Sequence, residues 1–517
     1  MSTLQTSPLL PGDKISRHAR MILAVLFLVS ILNFVDRQIL TILLGSIKRD
    51  LHVTDAELGF LWGTVFAAFY TVFGIPLGLY ADLGSRKKLI AWGLGLWSLM
   101  TMLSGFAFSF PALALARMGV GIGEATCSPA AYSLIADVVP KAKRGTALGI
   151  YSLGIYVGIG LSTMVGGVVV DGWSRAFPQG QEPLGLVGWQ AAFLVAGLPG
   201  LLLVPVVIAM REPARPANPD ESSQSPARLA FREGLALIPP TSFFFLGRDG
   251  VPTGPNLVAF GALGAATLGL TLAFGDPVQW FCLAVGLYVV VTLAQRLRVR
   301  EPETHALLFQ TPSLRWATLG FSCLSITGYA MGFSVPEFFI RYHGYSRAEI
   351  GGAFGLISAV CGGLGVTAGG YLADRFKEKT PAGRLIVGGM NALLPLPFLI
   401  SALLVKDPRH ALVLFAVAQL FAALWLGAGS STVQDLVLPR MRARASAVFL
   451  LFINLVSLAL GPYVVGRLSD HWGSLRFALM AASFANVVAF ALFVLASRTV
   501  GRDEETRAAR AQAAARA

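Results

Sequence analysis

Charge is scarce in this 517-residue chain: only 13% of it is Asp, Glu, Lys or Arg, where soluble domains carry about 25%. Cysteine is scarce as well. The four present (Cys127, Cys282, Cys323, Cys361) all fall in apolar segments without metal-ligand spacing. They read as small helix-packing residues rather than as a zinc or redox centre. The six His lie mostly in loops or at segment ends, so no metal site is expected. There is no Asn-x-Ser/Thr sequon with an allowed middle residue, in keeping with a bacterial inner membrane. No small-residue cleavage site follows a short apolar run. The first apolar block starts at Met21 and runs on through Asp36-Arg37 to Leu44, which predicts a retained first helix rather than a signal peptide.

What the chain has in abundance is apolar sequence, 55% hydrophobic residues with a mean hydropathy of +0.66. The apolar residues come in helix-length blocks separated by short basic loops, which excludes a string of soluble domains. Transmembrane barrel strands of about 10 alternating residues are excluded too. The blocks fall at 20–46, 56–81, 88–108, 112–136, 146–170 and 190–210, then 257–274 and 278–296, then 315–340, 349–373, 384–405, 410–434, 446–467 and 475–497. Each is about long enough to cross a bilayer. The expected fold is an all-α polytopic membrane protein with fourteen transmembrane helices. Two six-helix bundles (20–210 and 315–497) flank a linker (211–314) that carries an inserted hairpin at 257–296. Polar tails at 1–19 and 498–517 complete the chain. The middle pair is joined only by Gly275-Asp276-Pro277 and has almost no polar face, so it is expected to span rather than lie on the surface.

The net charge of +13 would suggest nucleic-acid binding in a soluble protein. Here the positive charge sits in loops of one parity and in the tails, so it reports topology, and no nucleic-acid partner is expected. Lys14, Arg17 and Arg20, then Arg86-Lys87-Lys88, Lys141, Lys143 and Arg144, then Arg375, Lys377 and Lys379, then Arg440, Arg442 and Arg444 mark these loops. Both termini are therefore expected on the cytoplasmic side.

One pattern occurs twice at a fixed offset of 292 residues. Ala56-Glu57-Leu58-Gly59 opens a run that closes at Gly78-Leu79-Tyr80-Ala81-Asp82, and Ala348-Glu349-Ile350-Gly351 opens another that closes at Gly370-Tyr371-Leu372-Ala373-Asp374. A second match follows, Asp137-Pro140-Arg144 and Asp435-Pro439-Arg442. Both copies keep the same parity of crossing, so the halves are parallel repeats related by an axis along the membrane normal, as in transporters that rock one half against the other.

Four ionisable residues fall inside predicted spans of the first half, where they are costly and functional by default. Asn33-Phe-Val-Asp36-Arg37 lies in the first helix and Arg117-Met-Gly-Val-Gly-Ile-Gly-Glu124 in the fourth. At 1.5 Å per residue, Asp36 and Arg37 lie roughly 15 Å below the outer end and Glu124 about 18 Å. Neighbouring helical residues point about 100° apart, so Asp36 and Arg37 each need a partner elsewhere. Asp36 and Glu124 are the candidate proton carriers, since a carboxylate in a low-dielectric cavity can titrate near neutral pH. Arg37, with Asn33 and Arg117, is the candidate binding group for a phosphate or carboxylate. Gly78 and Asp82 share a helix face near Arg86, and Gly370 and Asp374 repeat the arrangement. With Arg144, these six form a candidate conformational latch. The glycines between Gly149 and Gly167 predict close helix crossing.

Gly78-Leu-Tyr-Ala-Asp82-Leu-Gly-Ser85-Arg86 resembles the loop signature of the major facilitator superfamily. Together with Asn33-Phe-Val-Asp36-Arg37 and Gly123-Glu124-Ala125 it is similar to the Spinster branch. Ser85 and Leu83 depart from the commonest superfamily pattern, and the inserted hairpin lies outside it. The resemblance implies a major facilitator fold and alternating access. It also implies an amphiphilic or lipid cargo of lysophospholipid or sphingoid-phosphate type, with protons as coupling ion and no cofactor. A monomer in a bilayer, with a small amphiphile and membrane lipids as its partners, is the expected assembly. Alternatives on the same scaffold are an exporter of drugs or small organic anions and a non-transporting sensor. An intramembrane enzyme is disfavoured, because no His-centred constellation lies at membrane depth.

Overall fold

The computed structural model describes residues 15–140, 143–178, 180–213 and 225–516, and these form helices with no strand among them. Lys14 and Lys141 lie outside the described residues. Twelve helices are long and apolar enough to cross a membrane. They include the expected hairpin, Thr253–Phe274 and Pro277–Arg300. The expected third and fourth crossings are helical but fall short of that criterion. Arg86–Ser104 is only 19 residues long and begins with three basic residues. The other is broken into Phe110–Glu124 and Cys127–Val138. The break follows Glu124, where the Thr126 hydroxyl donates back to Gly123 O at 2.8 Å.

The repeated Ala-Glu-Leu/Ile-Gly has a local cause. Thr54 and Ser346 each cap a helix, and Glu57 and Glu349 complete reciprocal capping boxes. The repeat thus marks a helix start in both halves, where side chains satisfy otherwise orphaned backbone N–H groups. Each of these helices also contains a π-turn, at Phe60–Thr64 and at Ser358–Gly362.

The halves meet along two seams. In one, Asp55–Leu83 packs on Arg444–Trp472. In the other, Thr146–Ala176 packs on Arg347–Lys377. The second seam needs glycine. A Cβ on Gly160 would sit 2.7 Å from Gly355 O, and one on Gly355 would sit 2.5 Å from Gly160 O. All of these close approaches lie toward the end bearing Asp55 and Arg347. At the opposite, basic end, a Cβ on Gly74, Gly78 or Gly149 would meet nothing within 4 Å. Among the described residues, the closely packed helix pairs between the halves lie toward the Asp55 end, and the helices of the basic end pack within their own half.

The hairpin seats against the first seam. The Thr64 hydroxyl bonds Gln279 Oε1 at 2.6 Å and Ala459 O at 2.9 Å, and Gln279 Nε2 donates to the same carbonyl at 3.2 Å. First half, hairpin and second half therefore share one buried polar node. Tyr463 donates to Asp276 at 2.7 Å and holds the hairpin turn. The C-terminal segment is helical (Val500–Glu505 and Arg507–Arg516) and docked, not loose. Asp503 accepts from Ser313 N at 2.9 Å, and Arg510 donates to Thr311 Oγ1 at 2.7 Å.

Candidate functional site: a buried charge cluster and its flanking latches

The four ionisable groups of the first half come together. Arg37 donates from Nε and Nη2 to Glu124 Oε2 at 2.8 and 2.6 Å. Glu124 is buried, whereas the Arg37 side chain keeps 17% exposure. The guanidinium lies 4.3 Å from the ring centre of Phe66, 4.9 Å from Phe34 and 5.6 Å from Tyr70. These rings favour a cation where water is excluded. Asp36 points away from Arg37, as the helical period requires. It is fully buried, and its Oδ2 accepts from Ser98 at 3.2 Å. Its Oδ1 and Glu124 Oε1 are buried without a hydrogen bond. Trp97 and Asn33 lie close enough to interact with Asp36 and Glu124 respectively, yet neither donor makes a bond of proper geometry.

Arg117 is placed differently from Arg37. It is fully buried, with Nη1 on Asp36 O at 2.9 Å and Nη2 on Arg37 O at 3.1 Å. The first helix is interrupted immediately after these residues, at Ile39. Ser162 donates to Val35 O at 2.9 Å and Thr41 to Gln38 O at 2.8 Å. Four successive carbonyls, 35 to 38, thus accept side-chain donors. A buried carbonyl needs such a partner, and here the partners fix the turn from which Asp36 and Arg37 project. Asn33 is buried one helical turn before Arg37.

The closed end is tied across the halves by groups to which the sequence assigned no role. Asp55 accepts from Lys48 at 2.6 Å, from Arg341 at 2.9 and 3.0 Å and from Ser469 at 2.8 Å. Arg341 also donates to Glu337 at 2.7 Å. Asp470 accepts from Asp55 N at 3.0 Å and Ala56 N at 2.8 Å, while Asp171 accepts from Ala348 N at 2.8 Å. Asp171 and Asp470 are thus pseudo-equivalent. Each stands near the end of a long helix and caps the helix start carrying the repeat in the other half. Anionic groups are favoured at helix N-termini.

At the basic end, Arg86 is buried and paired with Asp137, with Ser133 at 3.0 Å and with Glu212 Oε1 at 2.9 Å. Glu212 also accepts from Ser85 Oγ at 2.6 Å and Arg86 N at 2.9 Å. Burial works against its charge, but these donors hold its carboxyl below the usual carboxylate range. In the second half, Lys377 pairs with Asp435 at 3.4 Å and Glu504 at 2.5 Å, and Arg384 with Asp435 at 3.1 Å. Glu212 and Glu504 stand in matching places, each after the last span of its half. The remaining expected latch residues lie nearer the surface or at the helix crossings. Asp82 is exposed. Asp374 is 75% exposed and 3.6 Å from Arg384. Arg144 donates to Val139 O at 3.2 Å. Gly370 lies beside Gly427, whereas nothing approaches Gly78. The ion pairs printed for these basic loops join residues of one half to each other, to the linker or to the C-terminal tail.

Two parallel bundles, two glycine-lined seams and a buried charge cluster in one half define a transporter of the alternating-access class. The chain belongs to the Major Facilitator Superfamily, whose family model matches residues 26–462. Within it, the similarities converge on the Spinster branch. Protein spinster homolog 1 of Xenopus tropicalis is 25% identical over 514 residues, covering 95% of this chain and 82% of that protein. An MFS-type efflux pump of Mycolicibacterium smegmatis is 29% identical over 454 residues, covering 88% and 85%. The crystal structure of a bacterial homologue of the human lysosomal transporter Spinster, in an inward-facing and occupied conformation, superposes with a TM-score of 0.71 at 25% identity, covering 94% and 98%.

Proposed function

We propose that this protein is a proton-coupled secondary active transporter of amphiphilic, lipid-like anions of the lysophospholipid or sphingoid-phosphate type. The observation that carries the reading is the Arg37–Glu124 pair, buried on its acidic side and accessible on its basic side. A guanidinium held by one carboxylate can exchange that partner for a phosphate, which it binds bidentately. Protonation of Glu124 weakens the pair and frees Arg37 for cargo, and Asp36 serves as the second carrier. Arg117 acts behind them as the group that positions the 35–38 turn. In this reading the chain crosses the bacterial inner membrane fourteen times as a monomer, with the basic end and both termini cytoplasmic. The closed Asp55 end is periplasmic, which makes the conformation inward-facing. The basic loops gathered at the opposite end support this assignment, as does likeness to a homologue captured inward-facing.

The test is uptake into proteoliposomes of a lysophospholipid and of a neutral lipid analogue with the same tail. Arg37→Ala is expected to reduce transport of the anionic cargo selectively; equal losses for both cargoes would overturn the assignment of Arg37. A second reading, export of drugs or small organic anions, is favoured by the 29% identity to an efflux pump. Thermal stabilisation by such compounds and not by lysolipids would select it. Binding of either class with no flux would identify a sensor.

A further inference from the structure

The hairpin creates a compartment that neither half forms alone. A cavity of about 470 Å³ lies where the hairpin turn meets the first half, and Tyr463 of the second half completes it. Its wall is apolar: Phe60 of the 55–83 span, Ala114, Leu115 and Met118 of the 110–124 helix, and Val278 of the hairpin. Leu115 is 65% and Val278 55% exposed, so the cavity opens outward from the bundle, on the side that faces lipid. The volume lies within the usual range for small-ligand sites. Gln279, at the inner wall, has both polar atoms engaged with Thr64 and Ala459. The interior therefore offers a polar ligand nothing.

The charges gather at one rim, at the level of the hairpin turn. Glu57 uses Oε2 for its helix cap, and Oε1 is not used by that cap. Across the mouth, Asp276 accepts from Tyr463 and lies 3.8 Å from Arg467, which also donates to Phe274 O at 2.6 Å. An apolar slot lined by two carboxylates, one of them with a guanidinium beside it, complements a particular occupant. We propose that this cavity is a binding site for one bilayer phospholipid with a primary-amine headgroup. The acyl chain lies in the slot, the ammonium at Glu57 and the phosphate at Arg467. Because the wall includes both halves, the site is complete only while the Asp55 end is closed. Occupancy therefore favours that state, by as much as its differential affinity allows.

Native mass spectrometry of the full chain, released in mild detergent and offered equimolar phosphatidylethanolamine and phosphatidylglycerol, tests the site. Wild type is expected to retain one aminated phospholipid with a preference of roughly fivefold, the scale of a partly exposed charge pair. Glu57→Gln keeps a side chain able to complete the capping box and is expected to erase the preference while leaving binding. Leu115→Trp and Val278→Trp fill the slot from opposite walls at exposed positions, and both are expected to lose the lipid with unchanged thermal unfolding. Equal retention of the two lipids by wild type would overturn the proposal. So would undiminished retention in either folded Trp variant.

Discussion

The two halves share a frame and differ in where charge is buried. Both start their second helix with a capping box, both offer that helix start to an Asp of the other half, and both tie a basic loop to an Asp and a Glu. Among the described residues, only the first half carries a buried cluster of Asp, Arg and Glu at mid-helix. At the numerical counterpart of Arg37 the second half has Tyr329, which bonds Asn454 at 2.7 Å. What is duplicated is the frame of capped helix starts and paired basic loops; what is unique is the buried charge cluster. The duplication explains why closure at one end is matched by openness at the other, since rigid halves can approach at only one end at a time.

This contrast can be broken at several points. The largest effect is expected at the unique charges. Glu124→Gln, like Asp36→Asn, should abolish pH-gradient-driven transport while cargo exchange persists; tracer flux with and without a gradient separates the two. Next is Arg117→Ala, which leaves the Asp36 and Arg37 carbonyls without that donor. Each orphaned carbonyl costs roughly 1–3 kcal/mol, so a clear fall in thermal unfolding temperature is expected.

The duplicated elements should respond more weakly and symmetrically. Asp171→Asn and Asp470→Asn each remove an anion at a helix start, a loss of about 1 kcal/mol. The double variant should populate the state open at the Asp55 end, read by thiol labelling of cysteines placed along either seam. The smallest effect is expected at Glu212. Its carboxyl is held below its ordinary range. Its contribution is therefore complete above the unfolded pKa of about 4.3 and is lost only as pH falls through the lower folded value. Glu212→Gln should weaken the latch equally at pH 5.5 and 7.5, unlike the carboxylate variants of the central cluster.

Much of the frame was legible in the sequence, because it depends on periodicity and punctuation. The hairpin, the two bundles and the repeat follow from apolar blocks and a fixed offset. The central cluster was legible because ionisable residues inside apolar helices have no innocuous place to sit. The ties at the Asp55 end were not, because Asp171, Asp470 and Arg341 stand at helix ends, where charge is ordinary. Their role appears only when two distant helices meet. The role of Arg117 was hidden for another reason. Its guanidinium holds carbonyls of the turn where the first helix is interrupted at Ile39, and nothing around Ile39 announces that interruption.

The central claim is that Asp36 and Glu124, confined to one half of a symmetric frame, carry the protons that drive cargo. It is tested most directly by recording proton movement with an entrapped pH dye while a cargo gradient is imposed across proteoliposomes. Wild type should move protons with cargo, and Asp36→Asn and Glu124→Gln should carry cargo down its gradient with no proton signal. Proton movement undiminished in both variants would contradict it.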